Sequence, residues 1–166
     1  MKTVVVLAMH GSPPNDFPRG EIGEFFALHA RHEAQNLTNP DRYLELSDKL
    51  KLWPRTPKND PFHAASCELA QVLGQHLGYD VRVGFNEFCA PDIDEALAQA
   101  VGDGAGRVII ATTMMIRGGE HAEREIAQAV SRGRHKYPEV EFIYAWPFET
   151  AEVACFLAEH VKRFLG

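Results

Sequence analysis

The sequence predicts an α/β fold, a four-stranded parallel sheet flanked by helices, with a helical insertion after the first strand. Three observations predict it. The chain opens on a β-branched, apolar run, Thr3–Met9 (TVVVLAM), of the kind buried on both faces of a parallel sheet. From residue 59 onward, helix-like and strand-like patterns alternate to the end of the chain. Between the two lies a stretch over 14–60 that breaks the alternation yet carries apolar residues at helical spacing. A chain of 166 residues, 45% apolar and 24% charged, suits a single domain over 1–166 with a sizeable core.

The elements follow in order. His10-Gly11-Ser12-Pro13-Pro14 stops the first strand. In the insertion, Ile22, Phe25, Phe26 and Leu28 suggest one helix to about Ala34, and Tyr43, Leu44, Leu46, Leu50 and Leu52 suggest a second that ends at Trp53-Pro54. A structureless segment of that length inside a compact domain is improbable. Asn59-Asp60-Pro61 sets a capping carboxylate before a first-turn proline and opens a helix that Gly78 closes. Asp80–Asn86 alternates Val81, Val83 and Phe85 as a strand; Pro91–Val101 is helical; Arg107–Met115 is a third strand broken at Gly118-Gly119. A helix from Glu120 to about Arg132, a strand over Glu139–Ala145 and a last helix over Thr150–Leu165 complete the series.

Charge and composition exclude several classes of function. Lys and Arg total 17 against 23 Asp and Glu, a net charge of −6 with no basic block, so neither a nucleic-acid nor a membrane partner is expected. The longest clean apolar run, Val4–Met9, is far too short to span a bilayer. No export signal is expected from the opening residues. Cys67, Cys89 and Cys155 are odd in number and widely spaced, which argues against a disulfide framework or a CxxC zinc site and for a cytoplasmic location.

The polar residues fall into a pattern on this frame. His10 follows the first strand, Glu87 the second, His121 the third and Trp146-Pro147 the fourth, all at the carboxyl ends where open α/β sheets bind ligands. Two imidazoles and one carboxylate converging there suit a divalent ion such as cobalt, nickel, iron or zinc. Taken singly, each has a plainer reading, a structural histidine or a helix-capping glutamate. The conjunction favours a metal site. Glu125, one helical turn past His121, is placed to fix the tautomer of that ring. Other candidates are weaker. Gly118-Gly119 before a helix offers backbone N–H groups to an anion, without any phosphate-loop spacing. His29-x-x-His32-Glu33 is better read as a solvated helix face than as a second metal site, and Cys89 as a small buried hydrophobe than as a ligand. No G-x-S-x-G elbow is present.

Val4–Ser12 (VVVLAMHGS), Val83–Pro91 (VGFNEFCAP) and Met114–Ile126 (MMIRGGEHAEREI) together resemble the short sirohydrochlorin cobaltochelatase/ferrochelatase family of class II tetrapyrrole chelatases. The shared features are His-Gly-Ser after an apolar strand, Phe85-x-Glu87-Phe88 with Pro91, and Gly119-x-His121 followed by Glu125. The match runs in the same order over about 3–13 and 61–166, and departs from the family pattern at Pro13, Thr113, Ala127 and the insertion.

The resemblance implies a chelatase-like fold, a flavodoxin-like half, and ATP-independent insertion of cobalt, or of nickel or iron, into sirohydrochlorin or a related tetrapyrrole. It implies no cofactor beyond the metal substrate. His10 and His121 are then metal ligands and bases, Glu87 a third ligand or proton acceptor, and Arg117 a contact to a substrate carboxylate. Since the family includes chains twice this long with two fused halves, a homodimer is expected. The insertion begins directly after His10-Gly11-Ser12, so a wall or lid over the tetrapyrrole is expected of it, with Arg19 or Arg55 as carboxylate contacts; dimer contact is the plainer reading. A non-catalytic metal- or tetrapyrrole-delivery protein is the alternative. A phosphotransfer histidine at His10 lacks the arginine cluster that such chemistry needs.

Overall fold

The computed structural model describes residues 1–35 and 41–166, the side chains of 32–35 excepted. Strands β1 (Lys2–Met9), β2 (Asp80–Phe85), β3 (Ala105–Thr112) and β4 (Glu141–Tyr144) form one parallel sheet in the order β2-β1-β3-β4. The described residues form six α-helices beside it: α1 (Arg19–Gln35), α2 (Asp41–Lys51), α3 (Pro61–Leu77), α4 (Ile93–Gly102), α5 (Ile126–Lys136) and α6 (Thr150–Lys162). The expected α/β class and the helical insertion, α1 and α2, are both present.

β1 lies inside the sheet, and its unbroken apolar run follows from that position. Val4, Val6 and Ala8 join α4 and α5 in one core with Val108, Ile110 and Phe142, while Leu7 and Met9 face Phe85 and α3 in another. Successive residues of a strand point to opposite faces, so a strand covered on both sides is apolar throughout. A third core belongs to the insertion, where Phe17, Phe25, Leu46 and Leu50 pack with Trp53, Tyr43 and Phe88.

Several boundaries differ from the sequence expectation, each for a local reason. Asp60 caps α3 by accepting from the His63 N–H (2.9 Å), as expected. α4 starts at Ile93 and not at Pro91, because Asp92 and Glu95 form a reciprocal capping box. β3 ends at Thr112, whose hydroxyl accepts the Met114 N–H (3.2 Å) and turns the chain. β4 is only four residues long, since a turn bond from Val140 N–H to the Tyr137 carbonyl (3.0 Å) precedes it. Between β3 and α5, His121–Glu125 forms one π-helical turn with the Ile126 N–H bonded to the His121 carbonyl.

The last helix is unlike the others. α6 buries only Val153, and Phe156, Leu157, Val161 and the following Phe164 and Leu165 lie open. Among the described residues no helix is long and apolar enough to cross a membrane.

Candidate metal centre

The order β2-β1-β3-β4 places the connections leaving β1 and β3 at a switch point, where the sheet edge opens a crevice. His10 stands just past β1, and the parallel ladder continues beyond the strands to meet it. Asn86 N–H donates to the Met9 carbonyl (2.8 Å) and Glu87 N–H to the His10 carbonyl (2.9 Å). The loop 86–91 then closes on itself, with Phe85 N–H donating to the Pro91 carbonyl (2.9 Å). Gly11 makes this approach possible. Its φ is +102°, and a Cβ there would stand 2.0 Å from the Glu87 carbonyl oxygen.

One ligand atom each from His10, Glu87 and His121 lies within 4.8 Å of the others. The imidazoles meet edge to face with centroids 4.7 Å apart, and His10 Nε2 is 3.6 Å from Glu87 Oε2. Both Nδ1 atoms are engaged on the far side. His10 Nδ1 is 2.9 Å from the Gly11 carbonyl oxygen and His121 Nδ1 is 2.7 Å from Glu125 Oε2. A carbonyl and a carboxylate only accept, so Nδ1 carries the proton in each ring and Nε2 presents its lone pair. That is how metal-ligating histidines are oriented by outer partners. The side chains of His10, Glu87 and His121 are 42%, 26% and 32% exposed, so the group opens to solvent on one side.

Glu125 Oε2 meets the His121 ring, and the carboxylate has a partner that the spacing did not announce. The Asn86 side-chain amide also donates to Glu125 Oε2. Asn86 Nδ2 lies 3.0 Å from His121 Nδ1 as well, but with the ring proton on Nδ1 both are donors and both serve the carboxylate. Burial pushes the Glu125 carboxyl up; hydrogen bonds from Asn86 and His121, with the charge of Arg124, outweigh it and hold it below its ordinary 4.5. The Tyr144 hydroxyl donates to the Ala122 carbonyl (2.7 Å) and ties the π-helical turn to β4. Desolvation pushes that phenol up to about 12, so it stays a donor.

The other candidates sort clearly. Arg117 is exposed beside an apolar groove of about 300 Å3 lined by Met115, Ile116, Phe148, Val153 and Leu157, its guanidinium 3.9 Å from Glu149. Arg19 is exposed at the start of α1. Arg55 corrects the sequence expectation. Its side chain is 6% exposed and is held by Asp60 (2.6 Å) and by backbone carbonyls, so it is not available to a substrate carboxylate. The Gly118 N–H donates to Glu123 (2.7 Å) and is not open to an anion. Cys89 is buried, its thiol pushed up to about 11 by desolvation, so it supplies no thiolate ligand. His29 stacks with Phe25 and meets the Tyr43 hydroxyl (3.1 Å), while the side chains of His32 and Glu33 lie outside the described residues.

Comparison with known proteins adds a second line. The family model described as CbiX matches residues 58–163. A sirohydrochlorin cobaltochelatase from Priestia megaterium is 31% identical over 74 residues, covering 45% of this chain and 24% of its own. The sirohydrochlorin chelatase SirB from Bacillus subtilis subspecies spizizenii, solved in complex with cobalt, superposes with a TM-score of 0.51 at 16% identity, over 99% of this chain and 51% of that one. SirB from Bacillus subtilis with Fe3+ gives 0.50 at 17%, over 100% of this chain and 48% of that one. At these identities the solved structures establish the fold. The chain spans about a quarter of the curated relative and about half of each SirB chain.

Two expected outcomes follow from the geometry. Gly11→Ala forces Glu87 away from His10 and lowers Co2+ affinity by at least about tenfold in a titration, as loss of ligand positioning does. Glu125 has a depressed folded-state pKa, so its contribution to stability is complete above the unfolded value and lost as pH falls through the folded one. The gap in urea midpoint between the protein and Glu125→Gln is therefore largest near neutrality and closes as pH falls below the ordinary carboxylate range.

Proposed function

Because this chain belongs to the CbiX family, we propose that it is a metal chelatase that inserts a divalent ion, cobalt in the first instance, into sirohydrochlorin or a closely related tetrapyrrole without ATP. The observation that carries this reading is the convergence of one ligand nitrogen each from His10 and His121 with the Glu87 carboxylate at the open sheet edge. Nickel and iron suit the same donors, since mixed nitrogen and oxygen ligands do not choose sharply among these ions.

The chemistry sets what the residues must do. An ion carried in water must shed part of its hydration shell, be held briefly, and then be given up to four pyrrole-type nitrogens. Two imidazoles and a carboxylate, all partly open, hold it through three bonds and leave the remaining positions to water or macrocycle. Two pyrrole N–H protons leave as the ion enters. An imidazole Nε2 lone pair freed of metal can accept one of them, and Glu87 beside His10 is a second acceptor within reach through one water. Glu125, braced by Asn86, keeps the His121 ring turned so that Nε2 faces the substrate. Arg117, exposed beside the groove, is the contact for a carboxylate of the macrocycle.

A homodimer belongs to this reading. A large flat macrocycle needs two walls, and one chain supplies one. The span of about half a SirB chain supports a second copy, and so does the open stripe Phe156, Leu157, Val161, Phe164 and Leu165. Apolar patches beyond a few hundred Å2 are uncommon on monomers, so an open stripe of five such residues suits a surface that meets a second copy.

Anaerobic incubation with sirohydrochlorin and Co2+, Ni2+ or Fe2+, followed by absorbance, tests the activity. Turnover is expected, and it is expected to vanish in His10→Ala and in His121→Ala with the circular dichroism spectrum unchanged. Glu87→Gln is expected to lower the rate while leaving the melting temperature within a few degrees. Binding of metal or macrocycle without turnover makes the chain a delivery protein instead. Light scattering is expected to give twice the 18.5 kDa of one chain, and Phe156→Glu with Val161→Glu to halve that mass.

A further inference from the structure

We propose that Arg55, at the end of the insertion, is a positioning residue for the metal centre: its guanidinium joins the loop that carries His10 to the loop that carries Glu87. The proposal rests on the metal-centre reading above.

The observation is a buried fork. Arg55 Nη1 donates to the Ser12 carbonyl (2.8 Å) and to Asp60 Oδ2 (2.6 Å), and Nη2 donates to the Leu50 carbonyl (2.9 Å) and to the Phe88 carbonyl. Ser12 is two residues past His10, and Phe88 is the residue after Glu87. One planar cation thus spans both ligand-bearing loops from a third segment. Asp60, whose side chain is fully buried, completes the knot by accepting from the Ser12 hydroxyl (3.2 Å) and the His63 N–H (2.9 Å). A buried guanidinium is retained only where its partners are in place, and only arginine offers this flat set of donors.

An independent feature points to the same junction. Phe88 has a φ of +60°, a left-handed conformation that a bulky side chain adopts only when surroundings enforce it. The insertion supplies that enforcement. The Phe88 ring packs against Phe25 and Phe26 with centroids 6.1 and 5.9 Å away, its carbonyl is held by Arg55, and the Ala90 N–H donates to the Lys51 carbonyl (3.2 Å). The helical insertion is therefore a brace for the third ligand. The cation expected to meet a substrate carboxylate acts instead on the residues that hold the metal.

The test uses Co2+ as the probe on the full chain, read by its visible ligand-field absorption and by titration. Arg55→Lys keeps a charge opposite Asp60 but loses the fork. Arg55→Gln with Asp60→Asn removes both charges together, so that neither is left buried alone if the first variant fails to fold. Val130→Ala loosens the core under α5, which contains no residue of the insertion or of either ligand loop. In folded protein, either Arg55 variant is expected to bind Co2+ about 10–100-fold more weakly with a changed absorption spectrum, while Val130→Ala keeps the parental affinity and spectrum. Parental affinity and spectrum in a folded Arg55 variant overturn the proposal, as does an equal loss in Val130→Ala. A parent that binds Co2+ but does not metallate sirohydrochlorin removes the chelatase reading and leaves the brace standing. A parent that does not bind Co2+ removes both.

Discussion

The close approach of Gly11 to the Glu87 carbonyl is the contact on which the rest of the centre depends. Two strands that end at Met9 and Phe85 continue their ladder for two more bonds, and that extension carries His10 and Glu87 side by side. A Cβ at position 11 has no space, because it would stand 2.0 Å from the Glu87 oxygen. The same glycine also offers its own carbonyl to His10 Nδ1, which turns Nε2 outward. One residue without a side chain therefore sets both the distance between two candidate ligands and the tautomer of one of them. His121 reaches the group from β3 by a different route, a π-helical turn tied to β4 through Tyr144. Single π-helical turns commonly mark functional sites.

The parts legible in the sequence are those written in one segment at a time. β1 is an apolar run, α3 has its capping Asp60 and closing Gly78, and His10, Glu87 and His121 each sit where a strand stops. A residue at the carboxyl end of a parallel strand is already placed near its counterparts, so three separate observations converge without a structure. What the sequence hid depends on segments meeting. Asn86 serves Glu125 across 39 positions, and nothing distinguishes it from any polar residue between Phe85 and Glu87. Arg55 sits among prolines and polar residues and reads as a surface cation, because arginines are seldom buried without partners that only the fold can bring. Strand ends moved for a similar reason. β3 stops at Thr112 through a side-chain turn that an apolar pattern does not record.

The insertion and α6 show opposite states of one problem, which is how a small sheet covers apolar surface. α1 and α2 bury Phe17, Phe25, Leu46 and Leu50 among themselves and use Phe88 to attach to the sheet edge. α6 buries Val153 and leaves the rest of its stripe open. A helix of 13 residues gains little stability in water from its own hydrogen bonds, so a helix with this much open apolar surface draws its stability from what packs on it. The insertion's helices share a core of their own, whereas α6 places only Val153 in a buried position.

The donor set also explains what the centre avoids. A chelatase must release its ion, and thiolates hold soft and borderline ions tightly. Cys89 lies two residues past Glu87, near enough in sequence to have joined the group. Burial keeps its thiol protonated, up to about 11, and it packs with Leu7, Met9 and Phe85 as a small apolar side chain. On the proposed chelatase reading, an ion held at this edge would meet two imidazoles and one carboxylate, ligands that give it up to a macrocycle more readily than a thiolate does. Once the ion has gone, the Nε2 lone pairs and the carboxylate are the groups beside it that can accept the two displaced protons.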